Sequence, residues 1–193
     1  MNLSAKSISI NSSTKISLHP LAKKLSKLIT SAYIVGKQEA YLESLNTKFS
    51  CYNSLPINHV SVISSQSNSY EVIGGCFVPF FNLKALNKDN ALFIQYKSSK
   101  KDVKPEHKKR YEQEFDQDIV DFIYMDFIRT ISVLSLLKPG SMYPELKKLT
   151  QDAQKYRSSI WKEIFESKEY LRQEDFALLL DVKSETIRRQ FTF

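Results

Sequence analysis

The sequence predicts an α+β chain in which a small mixed sheet with its helices is followed by an all-helical second half. Three observations predict it. Residues 55–96 hold short stretches rich in β-branched and aromatic residues, broken by Ser, Asn and Gly, which suits strands and turns. Beyond residue 111, Phe115, Ile119, Phe122, Ile123, Phe127, Ile131 and Leu134 recur at threes and fours, the spacing of a buried helix face. Between the halves lies a charge-rich run, with Lys97, Lys100, Lys101, Lys104, Lys108, Lys109 and Arg110 against Asp102 and Glu106. The expected organisation is therefore a flexible N-terminus over residues 1–14, an α+β domain over 15–98, a basic connector over 99–110 and a helical domain over 111–193.

Taken in order, Ser and Asn dominate residues 1–14, and this end is expected to fray. In residues 21–29, Leu21, Leu25, Leu28 and Ile29 share one helical face, with Lys23, Lys24 and Lys27 off it. A second helix is expected over 38–49, with Ala40, Tyr41, Leu42 and Leu45 on its apolar side. Residues 55–63 alternate as a strand, 64–69 suit a turn, and 70–73 read as the return strand, ending at Gly74 and Gly75. An apolar stretch to Leu86, expected to be helical beyond Pro79, leads to a turn at 87–90 and a strand at 91–96. Pro139 and Gly140 break the long C-terminal helix, a further helical stretch runs over 143–166, and two short helices fill 171–191. There is no internal repeat.

With 193 residues, 42% of them hydrophobic, the chain can bury one medium core or two small ones. A net charge of +7 favours polyanionic partners, nucleic acid first. Two cysteines, Cys51 and Cys76, make neither a secreted disulfide scaffold nor a zinc pattern, and His19, His59 and His107 are scattered, so no metal or cofactor is expected. The first residues lack the apolar core of a signal peptide. The most apolar long stretch, 115–137, carries Asp116, Asp118, Asp121, Asp126 and Arg129, which argues against a membrane span. A cytoplasmic location is expected. The four aspartates read as a solvated helix face, since no His or Glu completes a site with Asp118 and Asp121. Tyr143, Lys147, Lys148, Lys155, Tyr156 and Arg157 suit either a nucleic-acid surface or a helix whose lysine stems lie along apolar neighbours.

Residues 171–191 carry the sharpest signal. Ala177 is a small residue in the middle of a short helix, Asp181 follows four residues later, and Val182 and Ile187 are the next apolar residues. This segment resembles the helix-turn-helix family, which needs a small residue where its second helix crosses the first and a tight turn four residues on. Many members have Gly at the turn. Asp181 departs from that mildly, because Asp tolerates unusual backbone angles. The resemblance implies that Val182 packs under the turn, that Ser184 caps the second helix with Glu185 adding favourable charge, and that Ile187 is buried. Lys183, Ser184, Glu185, Thr186, Arg188, Arg189 and Gln190 are then the residues expected to face duplex DNA. The motif's third helix could be supplied from upstream, by Tyr156 to Phe165. The alternative is an amphipathic hairpin that only closes the domain.

Ile16 to Pro20, the helix around Tyr41 to Leu45, Leu55-Pro-Ile57 with Val60-Ser-Val62, and Tyr70-Glu-Val-Ile-Gly-Gly75 follow one another in the order of elements of the ParB/sulfiredoxin superfamily, which this region resembles. The resemblance implies a partition-type protein with its helix-turn-helix downstream. The family's chemistry sits after the glycines, where ParB-type proteins hold phosphates with Arg and sulfiredoxins have Gly-Gly-Cys-His-Arg. Here Gly74, Gly75 and Cys76 are present, but Phe77 and Val78 replace the His and Arg. Apolar neighbours raise a thiol's pKa, so Cys76, like Cys51, is expected to be a core residue. The alternative is a reactive Cys76 served by a Lys or Arg from elsewhere. The expected function is DNA binding, as a partition-type or transcription-regulatory protein of a plasmid, phage or integrated element. The alternatives are a sulfiredoxin-like or nucleotide-hydrolysing enzyme and a protein-interaction subunit. A second copy of the chain or another protein is a further partner left open.

Overall fold

The computed structural model describes residues 3–33, 40, 44, 58–78, 81–98, 107–137, 139–156, 158–164 and 171–191. The helix expected over 38–49 and Cys51 lie largely or wholly outside these residues, as do residues 99–106 of the connector. The described chain is mixed α+β. Its strands are β1 (Leu3–Ile8), β2 (Lys15–Leu18), β3 (Asn58–Gln66), β4 (Ser69–Gly74) and β5 (Ala91–Ser98), in one sheet of order β1-β5-β3-β4-β2. The β1–β5 and β3–β4 pairs are antiparallel, and the β3–β5 and β2–β4 pairs are parallel.

The centre of the sheet follows from alternation. Val60 and Val62 on β3 are opposite Phe93 and Gln95 on β5, and Val62 is also opposite Val72 on β4. All five are buried, so one face of the sheet is core. The β3–β4 turn is tighter than the polar run 64–69 suggests, because residues 64–66 continue the strand and only Ser67 and Asn68 turn. Asn68 takes φ 56, a conformation Asn tolerates. Its Nδ2 donates to the Ser13 carbonyl at 3.1 Å and so ties the hairpin tip to the loop before β2.

At the N-terminus the structure differs from the frayed end expected. Leu3–Ile8 form an edge strand in register with β5, from Leu3 opposite Ser98 to Ile8 opposite Phe93. Four of its six residues are exposed, so it carries no hydrophobic period to mark it. Backbone pairing with a strand some ninety residues away defines it.

The helices are α1 (Pro20–Tyr33), α2 (Lys108–Leu137), α3 (Pro139–Tyr156), α4 (Ser159–Ile164), α5 (Gln173–Leu179) and α6 (Ser184–Phe191). In α1 the expected stripe holds, since Leu21, Leu25 and Ile29 are buried and Leu28 packs against the core. His19 starts this helix: its carbonyl accepts from Lys23 N at 2.9 Å and its Nδ1 from Leu21 N at 3.3 Å. The stretch expected to be helical beyond Pro79 is, among the described residues, only a 3-10 turn at Leu83–Ala85. Asn82 caps this turn, its Oδ1 accepting from Lys84 N at 3.1 Å, and the chain leaves it extended at Leu86.

Helix α2 buries Ile119, Ile123, Phe127 and Ile131. It reaches the first half of the chain through Phe127 edge-on to Phe77 (5.6 Å) and Phe122 against Tyr96 (4.7 Å). One cluster of buried residues runs from Leu21 to Ile187, across the connector. Two of the four aspartates are not on a solvated face. Asp121 is 7% exposed and accepts from Ser158 Oγ (3.0 Å), Ser159 N (3.0 Å) and Ser159 Oγ (2.6 Å), which fastens the start of α4 to α2. Asp126 accepts from the Gly75 amide. Among the described residues no His, Cys, Asp and Glu group has metal-site form, and no helix is long and apolar enough to cross a membrane.

Candidate nucleic-acid interface

Helices α5 and α6 form a tight hairpin whose turn has an identifiable cause. Asp181 takes φ 52, the left-handed region. Asp181 N donates to the Leu178 carbonyl at 3.2 Å and Val182 N to the Ala177 carbonyl at 3.0 Å. These are the two closing bonds of a Schellman motif, with Asp181 in the place where Gly is commonest. Val182 packs against the core, and Ala177 is buried. At the other end Gln173 Nε2 donates to the Ser184 hydroxyl (2.7 Å) and carbonyl (2.9 Å), joining the starts of the two helices.

The hairpin docks on α3. Phe176 stacks on Tyr143, with ring centroids 6.0 Å apart, and the Tyr143 hydroxyl donates to the Leu171 carbonyl at 3.3 Å. Tyr143 is therefore a core residue and not part of an aromatic binding surface. Ile187 is fully buried. At Gly140 a Cβ would run into Gln190 Cβ and the Ile187 carbonyl oxygen, so only glycine lets α6 approach this closely. The Gly140 amide donates to Gln190 Oε1 at 3.0 Å. Gln190, expected to face a duplex, binds the first turn of α3. Helix α4, which lies within the stretch 156–165, packs on α2.

The other expected contact residues lie outward to different degrees. Lys183, Thr186, Arg188 and Arg189 are exposed, while Ser184 and Glu185 are partly so. Glu185 Oε2 meets Arg188 Nε at 2.8 Å, and its Oε1 meets Arg189 Nε at 3.2 Å. Hydrogen bonds from Arg188 and then Arg189 hold the Glu185 carboxyl below the usual carboxylate range. The three- and four-residue spacing of this cluster is legible in sequence. The same hairpin also exposes two apolar side chains on α5, Leu178 at 82% and Leu179 at 51%.

The Gly74-Gly75-Cys76 segment is elsewhere, under α2. Gly75 has φ 75 and lies against the His59 carbonyl where a Cβ would collide. Its amide donates to Asp126 Oδ2 at 2.7 Å, and Arg129 pairs with Asp126 Oδ1 at 3.2 Å. A carboxylate thus occupies the amide that an incoming phosphate would use. Cys76 is fully buried, and burial first, then the Asp126 charge, push its thiol up to about 12. A thiol so placed stays protonated and is a poor nucleophile. Sequence reasoning missed Asp126, whose partner is 51 residues away. The chain matches no family model, no curated protein and no solved structure.

Proposed function

We propose that the chain binds duplex DNA through α6, as a regulatory or partition-type protein; the partition role rests on the superfamily resemblance alone. The observation that carries the reading is the two-sidedness of α6. One side is held to α3 by Ile187 and Gln190, and the other turns Thr186, Arg188 and Arg189 to solvent, with exposed Lys183 just before the helix. A helix held by its back leaves its front to enter a major groove. The left-handed turn at Asp181 and the small buried Ala177 support the same reading, as does the net charge of +7. The double change Arg188→Ala with Arg189→Ala should weaken duplex binding about tenfold or more, since one base-edge pair carries roughly 1–3 kcal/mol. Its melting temperature should stay that of the parent, because both arginines are exposed. Duplex affinity equal to the parent's in this variant, read by fluorescence anisotropy, would remove α6 from the interface.

A second reading, a protein-interaction subunit, is favoured by Leu178 and Leu179. Two exposed leucines side by side on a short helix suit a protein partner better than a phosphate backbone. The two readings are compatible on one hairpin, since the leucines belong to α5 and the arginines to α6.

A further inference from the structure

The outward side of α6 carries one acidic side chain among its basic ones, and that side chain holds both arginines. Glu185 lies in the first turn of the helix. Its Oε2 meets Arg188 Nε at 2.8 Å, and its Oε1 meets Arg188 Nη2 at 2.9 Å and Arg189 Nε at 3.2 Å. The contact to Arg188 is a two-point fork, the geometry with which a guanidinium grips a carboxylate or a phosphate. The three side chains are 43%, 71% and 78% exposed, so the cluster fills no space in the core. An exposed ion pair on a helix adds little stability, too little to be its main consequence.

Two effects follow if α6 faces DNA. A phosphate that approaches either arginine meets a carboxylate already seated on it, and the two repel. Binding driven by charge alone is weakened. Base edges act differently, because a carboxylate accepts from the amino group of cytosine while a guanidinium donates to guanine. We infer that Glu185 is a selectivity residue of α6, which holds Arg188 and Arg189 away from arbitrary phosphates and yields them only to a duplex whose base edges engage the cluster. The inference rests on the reading of α6 as the DNA-facing helix.

The test compares the parent with Glu185→Gln, Glu185→Ala and Glu163→Gln. Glu163 is an exposed residue of α4, so its change alters net charge equally at a distance from the cluster. Affinity for a short mixed-sequence duplex is measured against salt by anisotropy, and sequence preference by selection from a randomised duplex pool. Both Glu185 variants should bind the mixed-sequence duplex about tenfold more tightly at low salt, with a salt slope steeper by about one phosphate. The pool they enrich should show weaker sequence preference than the parent's. Glu163→Gln should behave as the parent does. Equal strengthening by Glu163→Gln overturns the inference in favour of bulk charge, and so do Glu185 variants with the parent's affinity, slope and preference. No binding of any duplex by the parent or the variants at low salt overturns the reading of α6 itself, whatever Glu185 does.

Discussion

Replacing Gly140 by alanine sets two effects against each other, and the structure decides which is larger. On propensity alone, alanine in a helix is better than glycine by about 0.5–1 kcal/mol. At this position a Cβ meets Gln190 Cβ and the Ile187 carbonyl oxygen well inside contact distance. One obstacle is a side chain, but the other is the backbone of α6, which no rotamer change moves aside. Carbon contacts need about 3.5 Å, so α6 must withdraw by about 1 Å. Such overpacking costs roughly 1–3 kcal/mol. The withdrawal also stretches the bond from the Gly140 amide to Gln190, which contributes about 0.5–1.5 kcal/mol. The sum is a net loss of about 1–3 kcal/mol, opposite in sign to the propensity expectation. Urea unfolding reads it directly: with a slope of about 2 kcal/mol/M, the midpoint should fall by about 0.5–1.5 M. A midpoint at or above that of the parent would refute the close approach of α3 and α6, and with it the account of how α6 is oriented.

Two further outcomes are expected. Burial, partly opposed by the charges of Glu71 and Asp116, lowers the pKa of His19 below its ordinary 6.5. The unfolded chain therefore binds the proton more readily, and the contribution of His19 is present above pH 6.5 and lost as pH falls through the lower folded value. Unfolding free energies of the parent and of His19→Asn, which keeps a cap acceptor without titrating, should diverge across that window; a difference constant with pH would count against the burial of the imidazole. The Cys76 thiol, pushed up to about 12 and fully buried, should resist a thiol reagent at pH 8 in a Cys51→Ser chain and react once urea unfolds it. Native-state labelling as fast as that of a small free thiol would show that the thiol is open to solvent.

What could be read from the sequence was what depends on near neighbours. The stripe of α1 and the buried face of α2 are periodic over consecutive turns, and each packs its stripe inward. The turn at Asp181 was legible because the small residue, the turn residue and the buried Ile187 stand at fixed offsets within one segment. Features with distant partners were not. Asp121 looks like any helix-surface aspartate until Ser158 and Ser159 arrive from beyond α3. Gln190 looks like a groove reader until Gly140, 50 residues upstream, claims its amide oxygen. The segment after Pro79 differs for another reason: its apolar residues suit a helix, but Asn87 and Asn90 bond to nearby backbone and turn the chain after a single 3-10 turn.

The arrangement of the sheet also sets a timetable. β1 and β2 are made first and adjacent to each other, yet they lie on opposite edges. β2 waits for β4, and β1 waits for β5, whose Ser98 stands opposite Leu3. At a synthesis rate of about 5–20 residues per second, the first strand stays without its partner for about 5–20 s. During that interval its backbone donors and acceptors are open to any passing strand, and its Ser, Ala and Lys side chains offer such a strand little apolar surface to hold. The polar character that hides β1 from pattern reading is thus what makes a long wait safe.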